Sequence, residues 1–287
     1  MKSRIQIVGL FFLALSFQLP SIAQTYIGVW RSGNAKQSMS SLLNDFTSAE
    51  QKARKRGYTN WSDMETVLDG QTQKSCIVFE KPRKNQLTWT TFGTWREIQS
   101  DIAAFAKGKT ISITEGRRAR KVKVRMILKN IEAIYDPFQK TWGYLALFEK
   151  GTTKQKVVLT ESWDQFVGKW KQLGKRKMRL RQVETFASGG RRCYIGIFNA
   201  GTYGYYLYQI KGWKSFVKKW EALGKKNYRL IDVETFVAGG KRYYLGVWVP
   251  GKDGYVLYNV KGFSNFSKKF KELRSKGLEL IDIEVIP

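Results

Sequence analysis

Histidine is absent from this chain of 287 residues, and cysteine occurs only at Cys76 and Cys193. The absence of histidine excludes Ser-His and Cys-His nucleophilic sites, histidine metal sites and histidine pH switches. Two cysteines do not make the disulfide framework of a small exported domain. A bridge between them would need their two units of the fold to be adjacent.

Acidic residues are scarce as well. The chain has 51 Lys and Arg against 23 Asp and Glu, a formal net charge of +28. A soluble fold does not need that imbalance, so it predicts an anionic partner such as an acidic polysaccharide, a lipid head group or nucleic acid. Nucleic acid would then be held without sequence specificity. The alternative is a structural scaffold whose charge serves only solubility.

Long apolar runs are missing after the first 23 residues. A short basic head precedes an apolar stretch from Ile5 to Leu19, and Ser21-Ile22-Ala23 is typical of a signal-peptide cleavage site. No later stretch reaches the roughly 18 apolar residues of a membrane-spanning helix. We therefore expect residues 1–23 to be an export signal and residues 24–287 to form a domain in the periplasm, at the cell surface or outside the cell.

What the chain does contain is a repeat with a period of fifty residues in its C-terminal half. Self-similarity at a fixed period predicts equal supersecondary units that complete their cores against their neighbours. The slots that recur hold Trp163, Trp213 and Phe263; Phe166, Phe216 and Phe266; Leu173, Leu223 and Leu273; and Glu184, Glu234 and Glu284.

The clearest copy predicts three strands followed by a helix. The strands are 229–236, 242–248 and 255–260, separated by glycine-containing turns. The helix is indicated by apolar residues at helical spacing between Trp213 and Leu223. The predicted fold class is therefore α+β, with about five β-β-β-α repeats, antiparallel strands and helices on the outside.

The repeat also predicts where the units lie. They would span roughly 24–81, 82–150, 151–200, 201–250 and 251–287, and the basic segment 108–130 does not fit the period. The first two helices would run from about Ser40 to Arg56, with Leu43 and Phe46 in the apolar slots, and from Trp95 to Ala106.

The two ends of the repeat are complementary. The last unit stops after its first strand, 280–284, and residues 26–33 have the pattern of a second strand. We expect these two strands to pair and make a closed or nearly closed, barrel-like or propeller-like array, because closure satisfies terminal sheet edges. The alternative is an open array.

These motifs resemble a known repeat. The succession Y-x-G-V-W, Y-x-L-Y, W-x-x-F-x-x-K-W-x-x-L and R-L-I-D-V-E-T-F is similar to the bacterial tandem repeat domain, which also occurs in the N-terminal part of polyglycine hydrolases. The similarity is strong from Tyr144 onward and weak between Lys81 and Asn130. It implies a β-rich repeat domain, and it does not imply hydrolysis, because catalysis in those enzymes is associated with a separate β-lactamase-like domain.

Basic residues are the first candidate for a binding site. The densest run breaks the repeat, and lysine pairs recur on the predicted helices, where a solvated helix face is the alternative interpretation. The sequence thus favours a non-catalytic module that holds an anionic surface or polymer. The candidate residues are Arg117, Arg118, Arg120, Lys121, Lys123, Arg125, Lys218, Lys219, Lys268 and Lys269.

Recurring carboxylates are the second candidate. Glu65, Glu184, Glu234 and Glu284 share one slot, and arranged around an axis they would suit general acid-base chemistry or a cation. This supports the alternative of a hydrolase with the glutamates in a central cleft. The structural interpretation, which the sequence favours, pairs each glutamate with a base such as Arg192 or Arg242.

Other chemistry has little support in the sequence. Ser215 and Lys218 have the Ser-x-x-Lys spacing, but the sister copies replace them with residues such as Gln165 and Gly168, so we expect an exposed helix face. No glycine-rich phosphate loop and no metal-spaced cluster occurs, so the sequence predicts no cofactor, no metal site and no assigned catalytic residue.

Overall fold

The computed structural model describes residues 24–41, 46–69, 72–83, 86–115, 118–136 and 139–286. The expected export signal lies outside them, and none of the helices within them is long and apolar enough to cross a bilayer. The helices are α1 (Phe46–Lys55), α2 (Trp95–Lys107), α3 (Trp163–Lys175), α4 (Trp213–Gly224) and α5 (Phe263–Ser275). The strands are β1 (Thr25–Ser32), β2 (Gln37–Met39), β3 (Asn60–Asp69), β4 (Thr72–Glu80), β5 (Thr88–Gly93), β6 (Lys109–Glu115), β7 (Arg118–Val124), β8 (Met126–Asp136), β9 (Thr141–Lys150), β10 (Gln155–Thr160), β11 (Met178–Ser188), β12 (Arg191–Ala200), β13 (Tyr206–Lys211), β14 (Tyr228–Ala238), β15 (Lys241–Pro250), β16 (Tyr255–Lys261) and β17 (Leu278–Ile286).

Within the described residues, the strands form five small antiparallel sheets of three strands and one hairpin. The sheet orders are β2-β4-β3, β5-β9-β8, β10-β12-β11, β13-β15-β14 and β16-β1-β17, and the hairpin is β6-β7. The basic segment that breaks the repeat folds as this hairpin and the beginning of β8. Along the chain each sheet is built as strand, helix, strand, strand, and β1 supplies the central strand of the last sheet.

This grouping differs in phase from the expected β-β-β-α unit. The third strand of each expected unit joins the next sheet: β16 pairs with β1 and not with β15. The segment between β15 and β16 is a crossing between sheets, not a hairpin turn. Its Asp253 binds Arg31 of β1 at 2.6 Å, which ties the crossing to the following sheet.

The strands that carry the repeated glutamate lie at one edge of each sheet and contact one another in sequence. β3 contacts β8, β8 contacts β11, β11 contacts β14, β14 contacts β17, and β17 contacts β3. The expected pairing of the first and last strands is confirmed, because β1 pairs with β17 from Thr25↔Ile286 to Ser32↔Leu278. No continuous hydrogen-bonded barrel runs through the described strands.

Each helix of the repeat packs on its own sheet through its apolar face. In α4, Phe216 and Leu223 are buried against a sheet whose central strand contains Gly246. A Cβ at Gly246 would lie 2.3 Å from Trp248 Cη2 and 3.0 Å from Phe216 Cε2. The glycine of the Y-x-G-V-W motif therefore leaves the space that two aromatic rings fill.

The first helix differs from its expected bounds, whereas the second agrees with them. Ser40 lies beside β4, where its Oγ accepts a hydrogen bond from Ile77 N at 2.9 Å, so the expected helix start at Ser40 is wrong. Leu43 lies outside the described residues. Helix α2 begins after Thr94, whose side chain and Glu97 form a reciprocal capping box.

Candidate functional site

The five edge strands, which contact one another in turn, carry two layers of polar side chains. The two residues in each strand are two positions apart and so share a face. A bulge precedes the first of them, for example between Trp61 and Asp63 in β3 and between Leu230 and Asp232 in β14. The glutamate cluster consists of Glu65, Glu132, Glu184, Glu234 and Glu284. The aspartate–amide layer consists of Asp63, Asn130, Gln182, Asp232 and Asp282.

The whole glutamate cluster lines one cavity of about 570 Å³. One oxygen each of Glu65, Glu234 and Glu284 lies within 4.8 Å of the other two. Four of these five residues were predicted from the sequence, and Glu132, which directly follows the segment where the repeat is weak, was not. The spacing of Asn130 and Glu132, which copies that of Gln182 and Glu184, was the available signal. The rim of the cavity includes Lys140, Trp142, Phe186, Arg192, Phe236 and Arg242.

The glutamates are held by donors from neighbouring strands. Glu284 Oε1 accepts hydrogen bonds from Thr235 N at 3.0 Å and Thr235 Oγ1 at 2.7 Å. Glu132 Oε1 accepts the equivalent pair from Thr66, at 3.0 and 2.9 Å. Thr66 and Thr235, each directly after a glutamate of the cluster, thus bind the carboxylate of a neighbouring strand, whereas the Thr185 hydroxyl donates to Cys193 O at 2.9 Å.

Burial is the main influence on the charge of the glutamate cluster. It raises the pKa of Glu284 to about 7, against the lowering effect of the bonds from Thr235. It also raises the pKa of Glu65, Glu184 and Glu234 well above their usual range, and the other glutamates raise it further. Removing several like charges from water in one place favours their protonated forms.

The expected arginine partners do not bind the glutamates. Among the described residues, no Lys or Arg nitrogen lies within the 4.0 Å of an ion pair from any member of the glutamate cluster. Arg242 Nη1 donates to Thr235 Oγ1 at 3.1 Å, and the Arg192 guanidinium lies 4.7 Å from the centre of the Phe236 ring. The prediction that each glutamate pairs with such a base is therefore wrong, because these bases have other partners.

The aspartate–amide layer joins neighbouring sheets by hydrogen bonds to backbone. Asp232 Oδ2 accepts from Val183 N at 2.9 Å, and Asp282 Oδ2 accepts from Val233 N at 2.9 Å. Asp63 Oδ2 does the same with Ile283 N at 2.6 Å. The last bond joins the first sheet of the chain to the last one.

The basic candidates divide into a hairpin group and a helix group. Arg117 lies outside the described residues, and Arg118 begins β7. Arg120, Lys121 and Lys123 are exposed on β7, and Arg125 is exposed just after it. The structure therefore brings most of the dense basic run onto one strand of a hairpin.

The helix lysines have two different environments. Lys218 and Lys268 are exposed at equivalent positions of α4 and α5. Lys219 and Lys269 are partly buried, and their Nζ atoms lie 4.4 and 4.6 Å from the centres of the Tyr208 and Tyr258 rings. The second pair contributes to packing by cation–π contact as well as to charge.

The remaining reactive groups do not form a site in the described part of the chain. Ser215 and Lys218 are both exposed on α4. Cys76 and Cys193 are free and buried.

Buried carboxyls with raised pKa values also occur at catalytic sites, so the hydrolase alternative stays a prediction.

The repeat architecture can be compared with known proteins. Residues 213–251 match the family model of a polyglycine hydrolase-like structural repeat. The match covers α4, β14 and β15, and it confirms the family resemblance found in the motifs. No curated protein and no solved structure shows significant similarity to the chain. What matches is a structural repeat, so the match describes architecture and not a reaction.

Proposed function

We propose that this protein is an exported, non-catalytic repeat module that binds an anionic polymer or surface through hairpin β6–β7. The observation that carries the proposal is the position of this hairpin. It lies outside the five three-stranded sheets, as an insertion between α2 and β8 in a single unit. An element that the repeat does not need for its sheets, and that bears the densest positive charge, is suited to contact a partner.

The face of the hairpin supports this role. Lys121 lies opposite Ser112, and Lys123 lies opposite Thr110, so one face presents two exposed lysines between small polar residues. Among the described residues, neither of these lysines nor Arg125 forms an ion pair. Residues two apart on a strand are about 7 Å from each other. Such a row of uncompensated charges attracts a polyanion in a salt-dependent manner.

The base of the hairpin is anchored and not free. Ile111 and Val124 are buried in the core that β8 and β9 form with α2. Lys109 contacts Asp101 of α2 and lies 5.0 Å from the centre of the Phe105 ring. The basic face is therefore presented at a fixed place, which lowers the entropic cost of binding.

We also propose that the five sheets close into a propeller-like array. The cyclic order of strand contacts, the pairing of β1 with β17 and the Asp63–Ile283 hydrogen bond support closure. Closure would place the helix lysines, such as Lys218 and Lys268, around the outside of the array. They would add diffuse attraction to the contact made by the hairpin.

Binding of residues 24–287 to immobilised acidic polysaccharide, lipopolysaccharide and DNA, over a salt series, tests the proposal. The triple variant Lys121→Gln, Lys123→Gln, Arg125→Gln should bind more weakly, and its slope of log K against log salt on DNA should fall by about 2–3. A matched triple on exposed helix lysines, Lys171, Lys175 and Lys214, should change binding less.

Two results would contradict the proposal. Equal losses in both triple variants would mean that the charge acts diffusely and not through the hairpin. Unchanged binding in the hairpin variant would exclude the hairpin as the contact.

Retention of binding to one polymer at physiological salt would identify the class of ligand. N-terminal sequencing of the secreted protein would test export.

A further inference from the structure

We propose that Glu65, Glu234 and Glu284 bind one divalent cation of the calcium type inside the cavity lined by the glutamate cluster. The three residues come from β3, β14 and β17, so the ion would join three different sheets. This site is independent of the basic hairpin and of the function proposed for it. In the sequence a cation was one possible use of the repeated glutamates, but arginine partners were favoured and no metal site was predicted.

The distances fit a single ion. Calcium binds oxygen at about 2.3–2.6 Å, so two ligand oxygens on opposite sides of one ion are about 4.6–5.2 Å apart. Oxygen atoms of the three glutamates all lie within 4.8 Å of one another. One ion can therefore reach all three carboxylates without movement of the strands that carry them.

An unpartnered oxygen is a second, independent indication that this cavity binds a ligand. The side chain of Glu284 is 3 % exposed, and its Oε1 accepts the two bonds from Thr235. Its Oε2 is buried and has no hydrogen-bond partner while the neighbouring carboxyls are ionised. A buried carboxylate oxygen without a partner is costly, and the described residues place no Lys or Arg within ion-pair distance. A cation among the three carboxylates would satisfy this oxygen and offset their repulsion.

The neighbouring layer shows that hydrogen bonding alone does not demand carboxylates. In the aspartate–amide layer, two of the five units carry Asn130 and Gln182 in place of aspartate. Gln182 forms bonds with Ile131 backbone at 3.3 and 3.4 Å without any charge. In the glutamate cluster all five units carry the acid. A glutamine could also accept hydrogen bonds from threonine. The negative charge of the glutamates therefore has a separate role.

The donor set selects the class of cation. All three groups are carboxylates, and hard oxygen donors suit Ca²⁺ or Mg²⁺, with Ca²⁺ favoured because it accepts irregular sets of six to eight oxygens. The cavity leaves room for water to complete the coordination shell. The competing occupant is the proton, because Glu65 faces Glu284 closely enough to share one.

Calcium titration into the chelator-treated protein at pH 8 tests the site. We expect one ion per chain by calorimetry, and a rise in the unfolding temperature on addition of CaCl₂. Glu284→Gln and Glu234→Gln should each weaken binding by more than about tenfold, because affinity follows the number of charged ligands. Glu221→Gln, which removes a charge from the exposed face of α4, is the matched control and should bind as the wild type does.

Terbium, an oxygen-seeking stand-in for calcium, gives a readout that does not depend on stability. Trp142 lines the cavity, so its excitation should sensitise terbium emission, and Trp142→Phe should remove that emission while calcium still binds. No calcium binding and no sensitised emission in the folded wild type would overturn the proposal and leave protons as the only occupants. Wild-type affinity in both glutamine variants would also overturn it. If Glu284→Gln does not fold, Glu234→Gln and the terbium experiment still test whether the cavity binds a cation.

Discussion

Asp63 joins the first and last sheets of the chain, and its removal is the sharpest test of how the units are held together. Its Oδ2 accepts from Ile283 N at 2.6 Å, and its Oδ1 accepts from Asn130 Nδ2 at 2.6 Å. The side chain is 5 % exposed, so water does not replace these bonds freely when they are lost. Asp63→Ala therefore leaves two buried donors unpaired, one on β17 and one on β8.

The magnitude follows from those two donors. A buried donor without a partner costs about 1–3 kcal/mol, so Asp63→Ala should lower the free energy of unfolding by about 2–6 kcal/mol. Asp232→Ala and Asp282→Ala each remove one bond to backbone, so about 1–3 kcal/mol is expected for each. Asp63→Asn keeps one acceptor oxygen, but its amide nitrogen would face the second donor, so about 1–3 kcal/mol is expected, less than for Asp63→Ala.

The measurement is urea unfolding followed by circular dichroism, at pH 6 for all four variants. Burial raises the pKa of Asp63 to about 7, so at this pH the carboxyl is mostly neutral and the comparison reports hydrogen bonds instead of charge. An unfolding free energy for Asp63→Ala equal to that of Asp63→Asn would refute the reasoning. Equal losses for Asp63→Ala and Asp232→Ala would show that the second bond contributes nothing.

Three further predictions concern the cavity and the helix packing. The pKa of Glu284 in the folded protein, about 7, exceeds its usual 4.5, so its contribution to stability is complete below about pH 4.5 and is lost as the pH rises through 7. In the presence of chelator this loss should amount to about 3 kcal/mol in urea unfolding, and Glu284→Gln should reduce it. Gly246→Ala should lower stability by about 1–3 kcal/mol in thermal unfolding, because its Cβ would overlap Trp248 and Phe216. Gly168→Ala, in the open on α3, should instead raise stability by up to about 1 kcal/mol.

Local patterns in the sequence were sufficient to predict the helices and strands of the repeat. The spacing of Trp213, Phe216 and Leu223 predicts a helix, since apolar residues three and four apart share a helix face, and α4 has these bounds. The membership of the sheets was not predictable in this way. Whether β16 pairs with β15 or with β1 depends on contacts such as Arg31–Asp253, which are 222 residues apart in the chain.

The candidate site was predictable in position but not in its chemistry. The repeated slot of Glu184, Glu234 and Glu284 indicated that carboxylates would come together. The cost of burying charge suggested arginine partners, yet the structure meets part of that cost with backbone and hydroxyl donors such as those of Thr235. The bulge before the aspartate–amide layer, for example between Trp61 and Asp63, has no signature in the sequence.

The two layers also change how the net charge should be interpreted. The chain has 23 acidic residues, and the two layers hold eight of them: the five glutamates together with Asp63, Asp232 and Asp282. Protonation, or a bound cation, removes the charge of these interior groups, and neither the hairpin nor the helix lysines are paired with them. The formal value of +28 therefore understates the positive charge that an anionic polymer would meet at the surface. A basic exterior around an acidic interior separates the two proposed sites, so loss of the cation should alter stability without abolishing polymer binding.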